Sequence, residues 1–360
     1  MIRIAYIINS LEGGGAAFPV PAIITALKAQ GAEVKLFALT RRDGRALPAL
    51  EAAGIEVAVR DGGEKDHFAA MRWMIAETRR WQATHIISSL SRATLLALLG
   101  RRQLGVPVAS WQHAAFLRPR NYRYLRLLSR KAKFWITDSE AVAEWTATHL
   151  NVGTDRIEVW PMFSVGEDWP QAAPWQVGEP LRLASLGRLH PVKGYAELVE
   201  ALGLLKARGF APSVPYSITI GGEGAQRAQL EARIAALGID NLHLPGFVDD
   251  PRAFLAQQHL YLQPSHSEGF CIAAHQALAA GLPALTSSVG QLAFTIRDGD
   301  NGLRVPPRDP VALADGLAAM LSDPARLATM GARARMEMLE TYSRDRFAKA
   351  AETVFNRLVS

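Results

Sequence analysis

Short apolar runs recur along this chain, and most are followed by a stretch with helical spacing of its apolar residues. Residues 2–8 (Ile-Arg-Ile-Ala-Tyr-Ile-Ile) form the first run, bounded by Asn9, Ser10 and three glycines. Residues 22–29 read as a helix and 34–39 as a second strand. Further strand-like runs lie at 55–59, 85–88, 106–110 and 134–137. This alternation is the signature of βαβ units and a parallel, doubly wound sheet.

The alternation breaks at residues 160–170 (Trp-Pro-Met-Phe-Ser-Val-Gly-Glu-Asp-Trp-Pro), followed by Pro174, Gly178 and Pro180. Proline and glycine at this density read as a linker. The pattern then restarts. It predicts strands at 181–186, 216–220, 243–244, 259–263, 284–286 and 303–305. Helices are predicted at 195–206, 226–236, 251–257, 272–280, 311–321 and 325–340. Residues 344–358 are amphipathic through Phe347, Ala351, Val354, Phe355 and Leu358. The expected architecture is α/β: a Rossmann-like domain over 1–165, a second over 166–343, and a helix at 344–360 that packs back on the first.

A chain of 360 residues suits two such domains, and 49% hydrophobic content suits a globular protein. No apolar run reaches the roughly 18 residues of a membrane span. The N-terminus reads as a first strand, with no small-residue cleavage site of a signal peptide before the glycines. The single cysteine, Cys271, excludes an internal disulfide and fits a reducing cytosol. No Cys/His spacing or acidic cluster suggests a metal site. The net charge of +6 is uneven: residues 1–165 carry 22 Lys and Arg against 14 Asp and Glu, the remainder 18 against 20. Arg118, Arg120, Arg123, Arg126, Arg130, Lys131 and Lys133 form a run without an acid, interleaved with Tyr122, Tyr124, Leu125, Leu127, Leu128 and Phe134. A solvated helix face and a surface for anionic lipid or an anionic acceptor both fit this run. Nucleic acid ranks below both, and no nucleic-acid partner is expected.

Candidate chemistry sits where strands end. In Glu268-Gly-Phe-Cys-Ile-Ala-Ala-His-Gln276 a lone acid opens a turn before a small-residue helix. Unpaired first-turn N–H groups and the positive helix end then suit a phosphate beside a hydroxyl-rich group. Gly187-Arg-Leu-His-Pro-Val-Lys-Gly194 places Arg188 and Lys193 in one loop, a fork and a point charge suited to a diphosphate. Gly13-Gly-Gly15 follows the first strand without the spacing of a dinucleotide fingerprint, yet allows close backbone approach to a phosphate. Gly221-Gly-Glu-Gly224, Leu244-Pro-Gly-Phe-Val248 and Ser110-Trp-Gln-His113 end three further strands.

Together these segments resemble retaining glycosyltransferase family 4, the large GT-B group that includes glycogen synthases and mannosyltransferases. The resemblance runs through 187–305 most strongly and implies two Rossmann-like domains facing each other across a cleft. It implies a donor site made by Gly14, Gly15, Arg188, Lys193, Gly222, Phe247, Val248, Glu268, Gly269, Phe270, Cys271 and Ile272. By the same resemblance Arg188 and Lys193 bind the donor pyrophosphate, Glu268 holds a hydroxyl of the transferred sugar, and His113 meets a sugar hydroxyl or steadies the acceptor. The family's usual second glutamate falls at Gln276, which keeps hydrogen-bonding capacity for the ribose but no charge. His275 reads as packing, and the turn Asp138-Ser-Glu140 is left without chemistry.

The implied reaction transfers a hexose from a nucleotide-diphosphate sugar to a hydroxyl acceptor, which a lipid-linked sugar would satisfy, with retention, no metal and no cofactor. A sugar-nucleotide epimerase of the same fold and a non-catalytic nucleotide-sugar or glycan-binding subunit remain as alternatives. The implied location is cytoplasmic, with peripheral contact to anionic membrane through 118–133.

Overall fold

The computed structural model describes residues 1–360, and the chain divides into two units: Met1–Ser164 with Arg344–Ser360, and Val165–Ser343. The first unit runs β1 (Arg3–Ile8), α1 (Val20–Ala29), β2 (Glu33–Ala38), α2 (Leu47–Ala52), β3 (Val57–Val59), α3 (His67–Arg80), β4 (His85–Ser89), α4 (Ser91–Leu99), α5 (Arg101–Leu104), β5 (Val108–Gln112), α6 (Pro119–Leu128), β6 (Trp135–Thr137), α7 (Glu140–Leu150) and β7 (Ile157–Val159). Seven parallel strands pair in the order β3-β2-β1-β4-β5-β6-β7. Ile4 to Ile8 are fully buried, as expected for a central strand covered on both faces. The core around them is built from Phe37, Ile86, Val108, Leu125 and Trp135. Ser139 caps α7 by accepting from the Val142 N–H, and Asn151 closes it in the left-handed region.

The second unit continues with β8 (Leu181–Leu186), α8 (Tyr195–Ala207), β9 (Tyr216–Gly221), α9 (Arg227–Leu237), β10 (Leu242–Gly246), α10 (Pro251–Leu255), β11 (Leu260–Gln263), α11 (Ile272–Ala279), β12 (Ala284–Ser287), α12 (Leu292–Thr295), β13 (Gly302–Val305), α13 (Pro310–Ser322) and α14 (Pro324–Thr341). Its six strands are parallel in the order β10-β9-β8-β11-β12-β13. Asp250 and Asp309 cap α10 and α13, each accepting two N–H groups ahead of a proline. The last helix, α15 (Arg344–Val359), belongs to the first unit, where it contacts α1 and β7.

Both sheets reverse direction at their first strand. β1 lies between β2 and β4, and β8 lies between β9 and β11. Loops leaving the carboxyl ends of such neighbours diverge and open a crevice.

The stretch 160–180 is not a free linker. Trp160 is fully buried in the first unit, 5.0 Å from the Trp111 ring centroid and 5.4 Å from that of Phe347. In the second unit Arg252 lies 4.0 Å over the Trp169 ring, and the Ala172 N–H donates to the Ala280 carbonyl. The prolines stop regular structure here, but the tryptophans between them carry large apolar area and bury it. The strand expected at 106–110 is shifted to Val108–Gln112, because Pro107 has no N–H for the ladder. β7 was missed: it is three residues long with a charged residue at its centre.

Candidate functional site

In the second unit the loop after β8 and the loop after β11 are drawn together by Gly194. Its φ is +68°, and a Cβ there would collide with the Pro264 carbonyl. The Lys193 side chain then runs past Gly187 and donates to Glu268 Oε1 at 2.7 Å. The same oxygen accepts from Ser265 Oγ at 2.6 Å and from Gln263 Nε2 at 3.3 Å. The Gln263 amide oxygen in turn accepts from Tyr261 at 2.8 Å. Lys193 and Glu268 side chains are only 18% and 10% exposed. Burial alone would push the Lys193 ammonium down, but the Glu268 carboxylate outweighs it and holds the ammonium above its ordinary value.

Cys271 stands in the left-handed region at φ +63° immediately before α11. Burial first, and Glu268 second, push its thiol up, so it stays protonated. His275 is fully buried and stacks on Phe270 at 3.9 Å. Its Nδ1 donates to the Cys271 carbonyl at 3.0 Å and its Nε2 accepts from Thr295 at 3.2 Å. Burial lowers it to about 4. The ring is neutral packing that shapes the turn carrying Glu268.

Arg188 and Lys193 do not share a partner. Arg188 is exposed, while Lys193 is committed to Glu268. Gly222 lets β9 pass the Gly187 carbonyl, which a Cβ would strike. The two loops are laced by Leu189 N–H to Glu223 O at 2.9 Å and Gln226 N–H to Leu189 O at 3.1 Å. Phe247 is 41% exposed, and the Val248 side chain fills the space over Gly221. Gly269 accepts from the Gln291 N–H at 2.9 Å. Ile272 opens α11, and the Cys271 carbonyl before it accepts from the Ala274 and His275 N–H groups at 3.1 and 3.3 Å. Gln276 is half-buried about one turn into that helix. Glu268 is not on that helix, because the left-handed Cys271 separates the two.

In the first unit the Gly13 N–H is taken by the Asp43 carboxylate at 3.0 Å. The Gly14 carbonyl accepts from Ala17 and Phe18, and open space surrounds the Gly14 Cα where a side chain would stand. Gly15 completes that turn.

Sheet register assembles a second cluster. β5 and β6 pair Gln112 with Thr137, so the next residues, His113 and Asp138, emerge side by side. His113 Nδ1 lies 3.0 Å from both Asp138 carboxylate oxygens, and Trp111 Nε1 donates to Asp138 Oδ1 at 2.6 Å. His113 Nε2 meets Ser89 Oγ at 2.8 Å. Both ring nitrogens of His113 are therefore engaged within the protein. Asp138, which sequence reasoning left without chemistry, is the residue it missed. The only sequence signal is an acid directly after an apolar strand.

The basic run forms α6 and its flank. Arg118, Arg120, Arg123, Arg126, Arg130 and Lys131 are exposed, as are Tyr124 (58%) and Leu127 (78%), while Leu125 is buried. Lys133 leaves the run and donates to the Leu358 carbonyl on α15 at 3.1 Å. No helix is long and apolar enough to cross a membrane. No group of three or more His, Cys, Asp and Glu side chains is placed to hold a metal ion.

Residues 13–163 match the family described as Glycosyltransferase Family 4, and residues 168–337 match Glycosyl transferases group 1. The chain belongs to glycosyltransferase family 4. This glycosyltransferase is 28% identical over 374 residues to a D-inositol 3-phosphate glycosyltransferase of Arthrobacter sp. (strain FB24), covering 91% of this chain and 86% of that one. It is 31% identical over 191 residues to a glycogen synthase of Mycobacterium tuberculosis, where the match spans 52% of this chain and only 45% of the relative. Its fold is GT-B: a crystal structure of Anabaena HepE in complex with UDP-glucose superposes with a TM-score of 0.83 at 18% identity, covering 99% of this chain and 100% of that one.

Proposed function

We propose that this glycosyltransferase moves a hexose from a nucleoside-diphosphate sugar to a hydroxyl acceptor, with retention of the anomeric configuration and without a metal ion. The observation that carries the reading is the Lys193–Glu268 pair at the point where the second sheet reverses. A buried cation and a carboxylate with one oxygen already saturated suit the two ends of such a donor, diphosphate and sugar hydroxyl. Glu268 Oε1 takes three donors within the protein, so Oε2 is the oxygen turned to the sugar. Lys193, joined by the exposed Arg188, neutralises the charge that grows on the leaving diphosphate. The anomeric carbon–oxygen bond to phosphate breaks as the acceptor oxygen bonds on the same face, and the acceptor proton passes to the leaving phosphate. In this scheme no second carboxylate is needed as nucleophile.

The HepE complex with UDP-glucose supports a uridine nucleotide among the first donors to try. The exposed basic and aromatic face of α6 supports an acceptor held at an anionic membrane surface. The test is a panel of nucleoside-diphosphate hexoses, with nucleoside diphosphate release and product anomeric configuration as readouts. Donor turnover with inversion would overturn the retaining mechanism. Conversion of the donor sugar with no acceptor would favour an epimerase.

A further inference from the structure

The Ser89–His113–Asp138 chain belongs to the first unit, and its form resembles an activated nucleophile. Ser89 is fully buried, however, so no substrate carbon reaches its oxygen. What the chain does control is the histidine. An ionised carboxylate only accepts, so the proton between Asp138 and His113 sits on Nδ1. Asp138 is held for this task from a second direction by the Trp111 indole N–H at 2.6 Å, and the imidazole stacks on the same indole at 5.6 Å. With Nδ1 protonated, Nε2 is the acceptor, and Ser89 donates to it at 2.8 Å. His113 and Asp138 side chains are 8% and 6% exposed, so the protein rather than solvent sets the geometry of the pair.

We propose that Asp138 is the positioning residue for His113: it fixes the ring in the Nδ1–H tautomer, leaving Nε2 as the acceptor for a substrate hydroxyl, with Ser89 holding that nitrogen until substrate arrives. This rests on the reading that His113 meets a hydroxyl during glycosyl transfer. The β5–β6 register that places His113 and Asp138 side by side makes the pair a property of the sheet, not of a mobile loop. The part played by the carboxylate is to choose the tautomer and hold the ring plane, as a carboxylate bonded to the far nitrogen does for other working histidines.

The test uses the full chain with 15N-labelled histidine. NMR of the wild type is expected to show His113, assigned by its loss in His113→Gln, as the neutral Nδ1–H tautomer. The opposite tautomer in the wild type overturns the proposal without any variant. Asp138→Asn can donate to Nδ1 and is expected to shift the ring towards Nε2–H. With it, kcat should fall by about tenfold, the scale of one lost hydrogen bond to the reacting substrate, with donor KM little changed. Asp138→Glu should recover part of the rate. An unchanged tautomer, or a changed tautomer with wild-type kcat, overturns the positioning role. Wild-type kcat in His113→Gln would instead remove His113 from the reaction while leaving the donor-site reading intact.

Discussion

Lys193 and Glu268 meet at 2.7 Å from two loops that are 75 residues apart, and the contact exists because Gly194 lets one loop touch the other at Pro264. The pair predicts a separation of stability from catalysis. Lys193→Ala leaves the mostly buried Glu268 without its cation and should destabilise the second unit by about 1–3 kcal/mol. Lys193→Ala combined with Glu268→Gln should regain part of that loss. Exposed Arg188→Ala should leave the melting temperature unchanged. Both lysine and arginine single variants should still lower transfer by roughly two orders of magnitude. Thermal melts alongside kinetics check this, and additive stability losses in the double variant would deny the coupling.

Acid should destabilise the second unit through His275. Its folded value of about 4 lies below the ordinary 6.5 because burial disfavours the charged ring. The unfolded chain therefore takes up a proton that the folded one refuses. The stability is fully present above 6.5 and is lost as pH falls from 6.5 to 4, by about 3 kcal/mol in all. Denaturant unfolding of the wild type and His275→Asn across this range is the check. The variant should show a shallower decline, whatever its stability at neutral pH.

Gln276 stands half-buried about one turn into α11, where a carboxylate would be usual in the family. Gln276→Ala should weaken nucleotide binding by about 1 kcal/mol, the net scale of one neutral hydrogen bond. Gln276→Glu should keep or tighten binding if the pocket is of the common kind. Calorimetric titration of nucleoside diphosphates distinguishes these outcomes. Unchanged affinity in both variants would place Gln276 outside the nucleotide site.

Much of this was legible in the sequence, and the limits have physical causes. The strand at Leu181–Leu186 and the helix beginning at Tyr195 follow from apolar runs with clear boundaries, and the Arg188, Lys193 and Glu268 loops follow from their places after strands. The contact of His113 with Asp138 needs the order of β5 and β6, which no local pattern encodes. The engagement of Lys193 by Glu268 needs a loop contact made over long separation. The burial of Trp160 and Trp169 depends on surfaces far away in sequence, while the prolines alone suggested an open linker.

The α6 face should bind vesicles containing anionic lipid and release them as salt rises, since exposed charge is screened. Arg120→Ala, Arg123→Ala and Arg130→Ala combined should weaken that binding without affecting the fold, because all three side chains are exposed. Co-sedimentation with neutral and anionic vesicles is the measurement. Equal binding to both kinds, or none to either, would leave α6 as a solvated face.

The most direct test is calorimetric titration of nucleoside-diphosphate hexoses into the wild type and into Lys193→Ala and Glu268→Gln. At least one donor should bind the wild type, and each variant should lose about tenfold or more in affinity, the worth of one charge-assisted contact. Failure of every donor to bind the wild type, or equal binding to all three proteins, would contradict a donor site built on Lys193 and Glu268.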